Sequence, residues 1–390
     1  MTTTGLTRSP EPDMLRTPGP ALARTVRRAV GGVVVLHGLF HLLGAAADLS
    51  WTDDEAVRVV PGAGPAWLLA ALLVVASGLG LLTGRRLWWA LGTPALVLSQ
   101  VLIVSSWQDA WAGTVANVIL LVAVVHGWCA EGPGSRSARF RRSVATATAA
   151  LPTPELLTDD DLARLPEPVA RYVRRTGAVG LPKVTRFSAQ LHGRIRAGHD
   201  QPWMPFAGEQ VNTYGLRVTR HFRIQATMRG LPVDVMHALV DGRATMRVAA
   251  CSIVPVVDAA GPEMDRAETV TLFNDLCVLA PAALADAPVT WEVTADGRVH
   301  GRYTNGRQTV GAELVFDADG DLVDFVSDDR LRASPDGTAF TPMRWSTPLG
   351  GYREVRGRRL STVGSALWHG PEPEGTFNYL DFHLDDLRTD

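Results

Sequence analysis

Ala29-Val-Gly-Gly-Val-Val-Val-Leu-His-Gly-Leu-Phe-His-Leu-Leu-Gly-Ala-Ala-Ala-Asp-Leu49 reads as one apolar run, broken by two histidines and an aspartate. A helix needs roughly 20 mainly apolar residues to cross the hydrocarbon of a bilayer. Three further runs of that kind follow, over residues 65–83, 87–106 and 113–130. Residues 131–390 hold none. The chain therefore divides into a disordered tail (1–23), a four-helix transmembrane bundle (24–130), a basic linker (131–150) and a soluble domain (151–390).

The arginines flanking the runs assign sides. Arg8, Arg16, Arg24, Arg27 and Arg28 precede the first, Arg85 and Arg86 separate the second from the third, and Arg136, Arg139, Arg141 and Arg142 follow the fourth. The other two connections are acidic or neutral: Trp51-Thr-Asp-Asp-Glu55, with only Arg58, and Trp107-Gln-Asp-Ala-Trp111. Basic flanks face the cytoplasm, so the expectation is a multi-pass protein of the bacterial cytoplasmic membrane, in contact with its lipids, with the N-terminus and the soluble domain both cytoplasmic. Trp51, Trp67, Trp88, Trp89, Trp107, Trp111 and Trp128 sit near span ends, where interfacial aromatics belong.

Composition excludes several classes. A formal charge of −2 implies no nucleic-acid partner. All but one of the 38 basic residues are arginine, the exception being Lys183, which points to a GC-rich and bacterial genome. Cys129, Cys251 and Cys277 are too scattered for a disulfide framework and read as buried thiols. There is no zinc-type cluster, dinucleotide or phosphate loop, or nucleophile elbow. No metal and no cofactor is expected; oligomeric state is left open.

Polar residues inside the bundle form the first candidate site. His37 and His41 lie one turn apart on one helix face. Gln100 and Asn117 fall in the same outer half of the membrane, with Asp109 at its boundary. Ionisable residues at such depth are functional candidates: they could pass protons or hold haem. The alternative is hydrogen bonding between helices that holds the bundle together. Gly80 and Gly84 suggest close helix packing.

The soluble domain starts with helical signals, Thr158-Asp-Asp-Asp161 and Leu165-Pro-Glu-Pro-Val-Ala-Arg-Tyr-Val-Arg-Arg175, and then turns to β. Asp-Gly or Asn-Gly pairs at 241–242, 296–297, 305–306, 319–320 and 336–337 are hairpin signals. One helix interrupts the strands between Pro262 and Pro281, with Val270, Phe273, Leu276 and Cys277 on one face. The predicted fold class is α+β with transmembrane helices: the bundle, then a curved, half-barrel-like antiparallel β-sheet with helices on its concave face.

Two groups of residues in this domain are candidates. Glu263, Asp265, Arg330 and Arg344 could serve acid–base chemistry, although carboxylates in a first helical turn also stabilise the helix dipole. Trp203, Met204, Phe206 and Trp345 could rim a ligand cavity or simply pack in the core. The remaining histidines show no metal-ligating spacing.

The stretches Leu165-Pro-Glu-Pro-Val-Ala-Arg-Tyr-Val, Trp203-Met-Pro-Phe206, Gly230-Leu-Pro-Val233, Gly261-Pro-Glu-Met-Asp265, Ser327-Asp-Asp-Arg330, Arg344-Trp-Ser-Thr-Pro348 and Trp368-His369 occur in order. This series resembles an uncharacterised bacterial family, a domain of unknown function, over residues 160–390. The front section is similar to a four-helix region sometimes fused to it. The resemblance implies no reaction. At the level of fold alone, the domain is reminiscent of periplasmic lipoprotein carriers, which hold lipid chains in an apolar half-barrel; their location conflicts with the arginine pattern, which is kept here. The leading reading is a membrane-anchored binder of an apolar or lipid-like small molecule. An enzyme at the membrane surface and a redox or sensor protein using His37 and His41 are the alternatives.

Overall fold

The computed structural model describes residues 18–49, 51, 59–149 and 151–389, with side chains from residue 24 onward. The expected tail over 1–17 and most of the acidic loop, 52–58, lie outside the described residues. Four helices are long and apolar enough to cross a membrane. They are α1 (Pro18–Asp48), α2 (Gly64–Leu82), α3 (Trp88–Ser105) and, after the single turn α4 (Trp107–Ala110), α5 (Gly113–Glu131). The last part of the expected tail, residues 18–23, is thus helical; Pro18 and Pro20 fit its first turn, where no N–H partner is needed.

Glycines allow close helix approach in the bundle, at Gly38 and Gly78 besides the expected Gly80, where a Cβ would lie 2.9 Å from that of Trp88 at the start of α3. A Cβ on Gly38 would lie 2.9 Å from the Val75 nitrogen, and one on Gly78 2.9 Å from that of Val35. These two glycines let the α1 and α2 backbones approach. Gly80 accommodates Trp88, and Gly84 supplies a positive φ after the helix ends. At the far end, Asp48 accepts from the Gly62 and Gly64 amides at 2.8 and 2.7 Å, placing a carboxylate on the N-terminus of α2.

The expected linker holds a helix, α6 (Arg136–Thr148). Its Gly/Ser/Arg/Ala composition suggested a spacer, but Ser135 caps the Ala138 amide and the Arg and Ala residues favour helix. Phe140 is buried, and Ser143 hydrogen-bonds His221 at 2.7 Å, fastening α6 to the soluble domain.

That domain opens with α7 (Asp159–Leu162), closed by a Thr158–Asp161 capping box, and α8 (Glu167–Arg175). A meander follows: β1 (Arg186–Ile195), β2 (Met204–Thr213), β3 (Thr219–Met228), β4 (Leu231–Val240), β5 (Arg243–Ala250) and β6 (Val254–Ala260). Next come α9 (Pro262–Leu279), β7 (Val289–Val293), β8 (Val299–Asn305), β9 (Gln308–Phe316) and β10 (Leu322–Ser327). The remainder is β11 (Leu331–Ala333), β12 (Phe340–Pro342), β13 (Arg344–Ser346), β14 (Leu349–Gly350), β15 (Arg353–Val355), β16 (Arg358–Leu360), β17 (Val363–His369) and β18 (Thr376–Thr389). All five Asp-Gly or Asn-Gly pairs fall in hairpin turns, each glycine at positive φ.

One 14-stranded antiparallel sheet runs β6-β5-β4-β3-β2-β1-β18-β17-β13-β10-β9-β8-β7, with β14 alongside β17. It is not a closed barrel: β6 and β7 remain its edges, and α9 connects them across the concave face. Its Val270, Leu272, Phe273, Leu276 and Cys277 are all buried. A helix enclosed on most sides needs no single apolar stripe. The fold is α+β, with an apolar bundle followed by a large half-open sheet.

Burial, with Arg220 and Arg217 nearby, lowers the His221 imidazole to about 4. The unfolded imidazole titrates near 6.5. Neutral His221 therefore contributes its full stability above about pH 6.5 and loses it as pH falls towards 4. The melting temperature of His221→Gln in detergent is expected to fall less between pH 7 and 4.5 than that of the parent; parallel curves would contradict this.

Candidate functional site

Alternation along the strands turns one set of side chains into the concavity. On β3 these are Arg220, Phe222, Ile224, Ala226 and Met228; on β4, Val233, Val235 and His237; on β5, Met246, Val248 and Ala250. Facing them, α9 presents Met264, Ala267, Glu268, Thr271 and Asp275. Between sheet and helix lies a cavity of about 420 Å³, within the range of small-molecule sites. Ser334 and Pro335 of the β11–β12 hairpin border it, and Gly337 brings that hairpin against Val257 and Ala259.

The walls are mostly apolar, with Arg196 and Arg332 among them, and one charged cluster forms between β3 and α9. Glu268 and Asp275 are two turns apart on one face of α9, and Arg220 bridges them: Nη1 lies 2.8 Å from Glu268 and Nε 2.6 Å from Asp275. His237 meets Glu268 at 3.2 Å, while Gln210 and Asn212 donate to Asp275 at 2.6 and 3.1 Å. Burial alone would raise the Glu268 carboxyl, yet Arg220, His237 and Arg330 together hold it below its ordinary range. For Asp275 burial prevails over the pull of Arg220 and raises the carboxyl. Arg330 stands over the rings of Trp345 and Trp368, 5.2 and 5.8 Å from their centroids, and donates to the Ala267 carbonyl. Its Nε is buried without a hydrogen-bond partner among the described residues.

The structure sorts the residues singled out from sequence. Met204, Phe206, Trp345 and Arg330 line the cavity. Trp203 stands beside the rim, its ring packed by the guanidiniums of Arg194 and Arg196 at 4.4 and 4.6 Å. Glu263, Asp265 and Arg344 do not converge with Arg330. Glu263 is exposed in the first turn of α9, Asp265 accepts from the Ala244 amide at 2.6 Å, and Arg344 is exposed beside Asp328 at 3.8 Å. Glu268 was passed over in sequence. Its signal was a seven-residue spacing from Asp275 within a helix otherwise rich in apolar residues.

Residues 155–382, more than half of the chain, match the model of a family of unknown function, DUF6544. The chain belongs to this family. No curated protein matches it. Among solved structures, a DUF1329 family protein from Desulfovibrio piger is similar at a TM-score of 0.35 and 11% identity, over 57% of this chain and 92% of its own. An outer membrane lipoprotein-sorting protein domain from Vibrio parahaemolyticus, putative by its own name, scores 0.30 at 10% identity, over 53% of this chain and 85% of its own. Neither likeness carries a functional argument.

The bundle precedes the DUF6544 region and has a polar centre of its own. The Asn117 amide oxygen accepts from His37 Nε2 at 3.0 Å and from Ser99 at 2.9 Å. His41 Nε2 lies 2.8 Å from the Ser99 hydroxyl, and the Asn117 amide nitrogen donates to Gln100 at 3.0 Å. Because an amide oxygen only accepts, His37 carries a proton on Nε2. The two histidine rings meet edge-on at 4.7 Å. Four of the five intramembrane candidates therefore form one network joining α1, α3 and α5. Asp109, on α4, is exposed. Asn117→Leu is expected to lower bundle stability by about 1 kcal/mol, read as a lower melting temperature in detergent; an unchanged value would mean the network is not cohesive.

Proposed function

We propose that this protein is a membrane-anchored binder whose soluble domain holds an apolar or lipid-like molecule between the concave sheet and α9. The cavity carries this reading: its long wall from Phe222 to Met228 is apolar, while Arg220, His237, Glu268, Asp275 and Arg330 form one charged cluster and Arg196 and Arg332 stand apart from it. An amphiphile matches that division, with its chain along β3 and its polar end near His237 and Arg330. Catalysis by the carboxylates is less well supported, since Glu268 and Asp275 are both committed to Arg220.

The arginine flanks support a cytoplasmic domain, and the buried network supports a cohesive role for the bundle. C-terminal reporter fusions test the side: reporter activity outside the cytoplasm would contradict the placement. For the binding itself, the purified protein is titrated with a fluorescent long-chain fatty acid. Saturable binding, competed by unlabelled fatty acid and not by a short-chain homologue, is the expected result. Binding that never saturates, or that the short homologue competes equally, would contradict it.

A further inference from the structure

Two hairpin tips at one end of the sheet carry apolar side chains that stand exposed among the described residues. Met228 and Leu231 flank the β3–β4 turn; Ile253, Val254 and Val256 follow the β5–β6 turn. Each is between 43% and 57% exposed. The tips are joined, since the Cys251 amide donates to the Pro232 carbonyl at 2.7 Å. They also belong to the cavity: Met228, Ala250 and Val256 are among its lining residues. The apolar wall of β3 therefore leads to the tips, and the Arg220–Glu268–Asp275 cluster lies toward the other end of that strand, while Arg196 and Arg332 also line the cavity.

Their position relative to the bundle decides what covers them. The Cys251 carbonyl accepts from His126 Nδ1 at 3.2 Å, and the Ser252 carbonyl from Arg136 at 3.0 Å. His126 sits five residues before the end of α5, about 7.5 Å inside it at 1.5 Å per residue. It is also nearer the bundle centre than Trp128, an aromatic of the interfacial kind. Cys251 and Ser252 both adopt positive φ, 53° and 58°, a conformation that non-glycine residues hold when their surroundings enforce it. Here the turn is held against the last turns of a helix long and apolar enough to cross a membrane.

We propose that the tips at residues 228–231 and 251–256 enter the interfacial layer of the bilayer and form the lipid-side mouth of the cavity. The partner is the acyl-chain surface of the membrane that the bundle itself crosses. This deepens the binding reading and rests on it for the mouth, though not for the insertion.

The full chain, with Cys129→Ser and Cys251→Ser, receives a polarity-sensitive fluorophore through Leu231→Cys or Ile253→Cys. Leu216→Cys, 91% exposed in the β2–β3 turn at the opposite end of the sheet, is the control. In phosphatidylcholine vesicles with brominated acyl chains, strong quenching at 231 and 253 and none at 216 is expected. Equal quenching at all three positions would overturn the insertion. Separately, Leu231→Asp with Ile253→Asp is expected to slow transfer of a fluorescent fatty acid from vesicles by about tenfold, while binding of the same fatty acid from solution stays unchanged. Unchanged transfer would overturn the mouth and leave the binding reading standing. A parent protein that binds no fatty acid by either route would sink the binding reading and the mouth with it, and quenching alone would then decide whether the tips insert.

Discussion

Arg220→Met is expected to destabilise the soluble domain by about 3–5 kcal/mol, the cost of leaving a buried charge without its partner. The Arg220 side chain is 5% exposed and is the only guanidinium within 3 Å of either Glu268 or Asp275 among the described residues. Methionine fills similar space but supplies no donor, so two buried carboxylates lose their shared counter-charge. The loss should appear as a lower urea midpoint for the near-ultraviolet signal of the protein in detergent. Arg330→Met should cost less, because its approach to Glu268 is 3.9 Å and Arg220 and His237 remain in place. Equal effects of the two would mean that the cluster is not organised around Arg220.

The second large effect concerns ligand. Ala226→Trp should reduce fatty-acid binding by more than about tenfold, while overpacking typically costs about 1–3 kcal/mol. Ala226 is buried on the inward face of β3, beside Ile224 and opposite Phe206 on β2, so an indole there projects into the cavity. The matched control is Thr227→Trp, one residue along and therefore on the other face of the sheet. Comparable loss in both variants would show that the concave face is not where the ligand sits.

Much of this architecture was legible because it depends on local chemistry. Run length located the spans within a residue or two for α2, α3 and α5. Asp-Gly and Asn-Gly pairs marked five hairpins, since glycine supplies the positive φ those turns require. Pro262 and Pro281 bracketed α9. Other features depend on what distant segments do. α6 looked like a spacer because its burial comes from β3 through His221, far along the chain. The two halves of the sheet join where β1 pairs with β18, a contact between chain segments about as distant as the domain contains.

The candidate site was legible only in part, for the same reason. Met204, Phe206, Trp345 and Arg330 line the cavity, yet the carboxylate near Arg330, Glu268, belongs to the middle of α9. Glu263 and Asp265 drew attention by their motif. Their place in the first turn of that helix puts them at a rim, with Asp265 spent on the Ala244 amide. Glu268 became visible only once the sheet had curled around α9 and brought Arg220 to it. Within the bundle the outcome was better, because helical spacing alone sets His37 above His41.

The most direct test of a lipid-like ligand between the sheet and α9 is purification of the full chain in mild detergent, with mass spectrometry of the small molecules that accompany it. Ala226→Trp, purified in parallel, reports what the bundle alone retains. A defined amphiphile present in stoichiometric amount with the parent and lost from the variant is the expected result. The same lipids in the same amounts with both proteins, or none with either, would contradict a ligand in the cavity.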